Sequence, residues 1–311
     1  MVNCPVQLPA KRVLSTVTAK NSVKSTPNIL AEIIDGLPDG KPRQVCIGLH
    51  WTAVVLDVDG DLRCGLASTL VESHQHGTPA VPQAGNLETL TGLELAALAQ
   101  SERPTLVSVG MAAVNALLPR QPAAWVDLNA EDVIASHGAE KSVALIGHFP
   151  FVERLRAKVG RLTVLELDPQ PGDLLVSAAA EVLPKARVVA ITGMTLLNHT
   201  LDGLLELCAP DALVILLGPS VPLAPIFFAQ GVDILCGSIV TDVDEVLAAV
   251  RQGANFRQIH RAGVRLVTVM RPGLSECRKV AKNKGEPETG IRAGFAVKPN
   301  RFISNDKPQN T

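Results

Sequence analysis

The chain contains no tyrosine, and only seven Phe and two Trp among its 311 residues. Without a phenol, no mechanism that uses Tyr as acid or base is open to it, so a Tyr-dependent dehydrogenase is excluded. So few rings also leave little for a base-stacking platform. There is no excess of positive charge: 29 Lys and Arg stand against 30 Asp and Glu, a formal net charge of -1. Nucleic acid is therefore not an expected partner. No run of about 18 apolar residues occurs, so neither a spanning helix nor a membrane partner is expected. The start of the chain lacks the apolar core of a secretory signal. None of the six cysteines (Cys4, Cys46, Cys64, Cys208, Cys236 and Cys277) forms a C-x-x-C pair, which argues against a zinc ribbon or a thioredoxin motif. A cytoplasmic protein with reduced thiols is the simplest expectation. A G-x-S-x-G elbow is missing too, so a Ser-His-Asp hydrolase is not expected.

What is present is enough apolar character, 47% of residues, for a packed core. The length suggests about two domains, because single cores stop growing beyond roughly 250 residues. The near-zero charge conceals an asymmetry. Residues 1–24 carry Lys11, Arg12, Lys20 and Lys24 and no acid, and residues 271–311 carry nine basic and four acidic residues. The core between them is therefore strongly acidic. Short basic ends on an acidic core read as a solvated surface with tails.

The pattern along the chain divides it into a basic segment over 1–25, a first domain over 26–125, a second over 140–271 and a basic tail over 272–311. In the first segment, Arg12–Thr18 alternates like a short strand. Ile29, Leu30, Ile33, Ile34 and Leu37 share one helical face. Strands follow at Gln44–Leu49, Thr52–Val58 and Leu62–Thr69, with a turn at Asp59-Gly60-Asp61 that makes a hairpin. Helices are expected at Thr91–Gln100 and Gly110–Leu118. The first domain is thus α+β. Pro119-Arg120-Gln121-Pro122 reads as a linker.

From Ser142 the pattern alternates. Near-continuous apolar runs at Val143–Ile146, Leu162–Leu167, Val188–Ile191, Ala212–Leu217, Asp233–Cys236 and Val264–Val269 read as strands covered on both faces. Helices are expected between them at Phe151–Val159, Leu174–Leu183, Leu196–Cys208, Ala224–Gln230 and Val243–Gln252. This is the signature of a Rossmann-like, doubly wound parallel sheet.

Ligands of such sheets bind at the carboxyl ends of the strands. The first of these loops, Gly147-His148-Phe149-Pro150, is not G-x-G-x-x-G, so a pyrophosphate cradle is not encoded. Glu166 and Asp168 stand where a ribose hydroxyl is often held, or are ordinary strand-end acids. Thr192, Gly193, Thr195 and Asn198 crowd the third strand-to-helix turn, which suits a carboxylate or phosphate, or merely caps a helix. Gly218-Pro219-Ser220 opens a rigid proline-rich loop, with Ser220 a hydrogen-bonding group rather than a nucleophile. From the first domain, Asn115 is an isolated polar residue on an apolar helix. His50, His148 and His199 are candidate acid-base groups by location alone. His74 and His76, with Cys46 and Cys64, are the only candidates for a directly bound metal, and solvated histidines with buried thiols are the plainer reading.

Several of these segments together resemble one family. They are Gly48-x-x-Trp51-Thr52-Ala53-Val54, Gly110-Met111-Ala112-Ala113-Val114-Asn115-Ala116, Ile191-Thr192-Gly193-x-Thr195-Leu196-x-Asn198-x-Thr200 and Gly218-Pro219-Ser220-x-Pro222-Leu223-x-Pro225. Gly231-Val232-Asp233 and Gly237-x-x-Val240-x-Asp242 complete the pattern. In order and spacing, over roughly residues 28–270, the chain resembles the putative heavy-metal chelation family. Met194 and His199 are larger than the residues expected there. The resemblance implies an enolase-N-terminal-like domain ahead of a Rossmann-like one. It also implies a pocket between them and a role in metal homeostasis, handling or making a metal-chelating metabolite.

Three readings follow. The first is a binder or enzyme for a small polar ligand in the interdomain cleft. The second is an adenine-nucleotide- or S-adenosylmethionine-dependent transferase, resting on fold analogy and Glu166. The third is a direct metal-binding protein. Self-association into a homo-oligomer is compatible with all three.

Overall fold

The computed structural model describes residues 28–71 and 79–274. The basic segment 1–25 with its expected strand, His74, His76, Cys4, Cys277 and the tail from residue 275 lie outside them.

The first helix, α1 (Ile29–Asp35), starts at Asn28, whose side-chain oxygen accepts the Ala31 N–H, and buries Ile29, Leu30, Ile33 and Ile34. Burying side chains of this size stabilises by roughly 1.5–3 kcal/mol each. Strands β1 (Lys41–Ile47), β2 (Trp51–Val58) and β3 (Asp61–Ser68) form an antiparallel meander in that order. The β2–β3 turn places both Asp59 and Gly60 at positive φ, as a tight two-residue hairpin requires. Helix α2 (Gly92–Ala97) packs against α3 (Pro104–Leu117), and α3 lies over this sheet on β2 and β3. Helix α3 begins six residues before the expected start, because Pro104 has φ preset for a first helical position.

Helix α4 (Ala130–Gly138) lies in the stretch between the two expected domains, after the expected linker, where no element was expected. Its Val133 and Ile134 pack into the core of the second sheet. That sheet holds β4 (Ser142–Ile146), β5 (Arg161–Glu166), β6 (Leu174–Leu175), β7 (Val188–Thr192), β8 (Leu213–Leu217), β9 (Ile234–Val240) and β10 (Val264–Met270). Interspersed are α5 (Val152–Arg156), α6 (Ala179–Val182), α7 (Met194–Leu197), α8 (Leu201–Glu206), α9 (Ile226–Ala229), α10 (Val243–Arg251) and α11 (Phe256–Arg261). The strand order is β10-β9-β8-β7-β4-β5-β6. From β6 to β9 every pairing is parallel, and this is the doubly wound order with its reversal between β4 and β7.

Three local expectations are corrected. The last strand, β10, runs antiparallel to β9. The expected helix Leu174–Leu183 opens instead as a two-residue edge strand, with Leu174 and Leu175 exposed. The expected helix Leu196–Cys208 is two short helices. His199 sits between them at φ 57°, a left-handed conformation that no helix can pass through.

The two sheets share cores. Trp51, Ala53, Val55, Cys64 and Leu66 of the smaller sheet pack with Val240, Val246, Leu247 and Val250 of the larger unit. Polar groups also tie the seam. The Asn115 side-chain amide donates to Leu66 O (2.8 Å) and to Ser220 O (3.1 Å). The Ser68 N–H donates to Ser220 Oγ at 2.9 Å. Among the described residues, no helix is long and apolar enough to cross a membrane.

Candidate functional site

The carboxyl ends of β4 and β7 diverge at the reversal of strand order, where a crevice must form because successive helices leave for opposite faces. There the structure has an open cleft of about 1410 Å³. This exceeds the usual range of roughly 300–1,000 Å³ for a single small-ligand pocket. Its walls come from both units: Trp51 and Ser68 on one side, and the loops after β4, β5, β7 and β8 with α11 on the other. Four of the chain's nine aromatic residues line it, namely Trp51, Phe149, Phe151 and Phe256. Phe149 and Phe151 stack at 5.1 Å, and Trp51 lies 5.8 Å from Phe256. The indole N–H of Trp51 is buried without an acceptor among the described residues.

Glycine opens the floor. Gly147 has φ 100°, and a Cβ there would lie 3.0 Å from Thr192. The neighbouring strand ends can approach only because this position has no side chain. The next residue, His148, is fixed at two points. Its N–H donates to Glu166 Oε2 at 2.8 Å, and its ring Nδ1 lies 2.7 Å from Asp173 Oδ2. The other Glu166 oxygen accepts the Leu167 N–H at 2.7 Å. Glu166 therefore clamps the ends of β4 and β5 with both oxygens, beside whatever else it contacts. The Asp173 side chain is fully buried, and its Oδ2 also accepts the Gln170 N–H. The nearest cation to its Oδ1 is Arg156, at 3.9 Å.

At the β7 turn, Thr192, Gly193, Thr195 and Asn198 all line the cleft, but much of their polarity is spent locally. Thr195 Oγ1 donates to Thr192 O at 2.7 Å, the Met194 N–H donates to Thr192 Oγ1, and Asn198 Oδ1 accepts from Thr200 Oγ1. Gly218, Pro219 and Ser220 also reach the cleft. Ser220 is only 2% exposed and its hydroxyl is engaged by Ser68, which suits a seam residue. Asn115 lies away from this cleft, on a small cavity of about 50 Å³ on the same seam. His199 lines the cleft, with Nε2 at 2.9 Å from Ala99 O. His50 is exposed and outside the cleft lining.

The thiol candidates stand apart, on the smaller sheet. Burial pushes the Cys64 thiol up to about 12 and also raises Cys46, whose neighbour Arg251 acts in the opposite direction. Thiols held protonated are poor metal ligands, because the thiolate is the donor. Among the described residues no three His, Cys, Asp or Glu side chains are placed to hold an ion.

The cleft mouth carries a charged network. Glu131 accepts from Arg154 at 2.6 Å and from Lys158 at 2.7 Å. The Arg154 hydrogen bond, aided by Lys158, holds its carboxyl below the usual glutamate range. A depressed folded-state pKa gives stability that is present above the unfolded-state value and is lost as pH falls through the folded one. Glu131→Gln should therefore lower the melting temperature at neutral pH, with the difference from wild type shrinking as pH drops below the carboxylate range. Thermal melts of both proteins across that range check this. A difference that stays constant with pH would count against the ion pair as its cause.

The residues that sequence reasoning missed are Asp173, Ser68 and the aromatic walls. Asp173 follows Pro171-Gly172, with Gly172 at φ 94°, so in sequence it reads as an ordinary turn acid. Only the fold brings it under His148.

Two family models match the chain, over residues 30–118 and 129–269, and both are described as putative heavy-metal chelation. An uncharacterized protein of Methanocaldococcus jannaschii, MJ0500, is 28% identical over 225 residues, which cover 67% of this chain and 82% of that protein. A crystal structure of a protein of unknown function from the DUF364 family of Desulfitobacterium hafniense is 27% identical. It has a TM-score of 0.67, covering 78% of this chain and 98% of that one. A second, from Pyrococcus horikoshii, is 21% identical at the same TM-score, with 79% and 99% covered, and supports the fold alone.

Proposed function

The chain belongs to the putative heavy-metal chelation family, and from that premise we propose that it takes a small polar molecule with metal-binding groups into the cleft between its two sheets. The metal would arrive with that molecule, as cargo, rather than on a set of protein ligands. The observation that carries this reading is the cleft itself, large, open and placed at the reversal of strand order. The thiols of the smaller sheet, raised by burial, support it from the other side. Thr192, Gly193, Thr195, Asn198, Gly147, Gly218 and Pro219 would form the floor, with Ser220 holding the Gly218–Ser220 loop against the smaller sheet. The aromatic residues would cover the apolar parts of the ligand.

A molecule that binds only the folded state must stabilise it, by about 2.7 kcal/mol at a hundred times its Kd. Thermal melts should therefore rise with one or more members of a panel of polycarboxylate, hydroxamate and catecholate chelators, free or as metal complexes. The same metal salts alone should give less. If no chelator or complex shifts the melt and free metal does, direct metal binding replaces this reading. If adenine nucleotides alone do so, the transferase reading does.

A further inference from the structure

We propose that His148 is the proton-accepting group of the cleft and that buried Asp173 is its positioning residue. The proposal rests on the reading that the cleft takes a ligand, and goes beyond it by assigning chemistry.

The argument starts from the loop after β4. An imidazole is mobile unless both its backbone and its ring are held. His148 has both constraints: the backbone N–H to Glu166 and the ring Nδ1 to Asp173. An ionised carboxylate can only accept, so facing one Nδ1 carries the hydrogen, and in the neutral ring Nε2 then keeps its lone pair. Among the described residues Nε2 has no hydrogen-bond partner, and His148 lines the cleft with its side chain 22% exposed. The charged groups around the ring are Asp173 and Glu166, with Arg156 behind Asp173. A fully buried acid facing an imidazole offsets the charge that appears when the ring takes up a proton.

The step is a proton transfer with no redox change. A proton leaves a weakly acidic O–H or N–H of the ligand, or a water beside it, and bonds to Nε2. The bonding electrons stay on the oxygen or nitrogen, and the imidazolium faces Asp173. Weakly acidic donors are the class of ligand this suits, because such groups must lose a proton before they hold a metal.

The test uses diethyl pyrocarbonate, with each histidine followed by peptide mass spectrometry. In the intact protein His148 should acylate about tenfold faster than His260, although His260 is the more exposed. Asp173→Asn should slow His148 selectively. In wild-type protein labelled with 15N-histidine, long-range NMR correlations should show the Nδ1–H tautomer for His148, with Nε2 unprotonated. An Nε2–H tautomer, or acylation no faster than at His260, overturns the proposal without needing any variant to fold. Both measurements are made without ligand. A flat melt panel therefore strikes the cleft reading alone, and a slow His148 strikes this one alone.

Discussion

Gly65→Ala is expected to remove about 3 kcal/mol or more of stability, lowering the melting point by roughly 6–12 °C for a chain this size. Gly65 lies on β3, where α3 crosses it. A Cβ there would lie 2.0 Å from Ala112 O, 2.4 Å from Ala116 N and 2.8 Å from the Asn115 carbonyl carbon. All three are backbone atoms of one helix, so no side-chain rotation can relieve the clash. The helix must move as a body, and it carries Asn115 and the seam with it. The control is Gly203→Ala. Gly203 lies in α8 with nothing within 4 Å of its Cβ position. There the substitution only reduces helix-opposing freedom and should stabilise by about 0.5–1 kcal/mol. Urea unfolding of both variants separates them. If Gly65→Ala proved as mild as Gly203→Ala, the packing of β3 on α3 described above would be wrong.

Asn115→Ala should cost about 2–4 kcal/mol, because its amide satisfies two carbonyls and each one left unpaired costs about 1–3 kcal/mol. One carbonyl, Leu66 O, belongs to the smaller sheet, and the other, Ser220 O, to the loop after β8. The loss should therefore be local to the seam. Hydrogen exchange should quicken at Ser68, whose N–H is held by Ser220 Oγ, and at Val221, whose N–H is held by Gly218 O. Exchange within β4 and β5 should change less. Uniform acceleration across both sheets would point to global destabilisation instead of a seam contact. Ser220→Ala acts on the same seam through its hydroxyl, so its effect and that of Asn115→Ala should not add.

Much of this fold was legible because its signals are local. The strands of the larger sheet are continuous apolar runs, and the β2–β3 hairpin is written in Asp59-Gly60. What sequence could not reveal depends on long-range placement. Helix α4 was hidden between the two expected domains, since its two core anchors, Val133 and Ile134, are too few to make a period. The break at His199 was invisible because its neighbours read as one helix, while its ring reaches Ala99, a hundred residues away. Strand β10 gives no sign of direction, since the same apolar run serves either orientation.

The site shows the same division. The strand-end rule pointed to Gly147, His148, Glu166, Thr192 and Gly218, which line the cleft, and to Asp168, which is exposed outside its lining. The rule could not separate ligand-facing groups from seam groups. Asn115 and Ser220 are polar for the sake of the seam, and Asp173 earns its importance only from a tertiary contact. The scarcity of aromatic residues proved informative through position: nearly half of them stand around one cleft.

The central claim is that this cleft holds a small polar ligand. Mass spectrometry of the small molecules released from natively purified protein tests it most directly, when run beside Ala180→Trp. Ala180 is exposed on the cleft wall, so the indole would fill ligand space without entering the core. The account predicts a molecule with metal-binding groups, near one per chain, in the wild type and greatly reduced in the variant. The same molecule at equal occupancy in both proteins, or none in a wild type that also fails to take up any chelator, would contradict it.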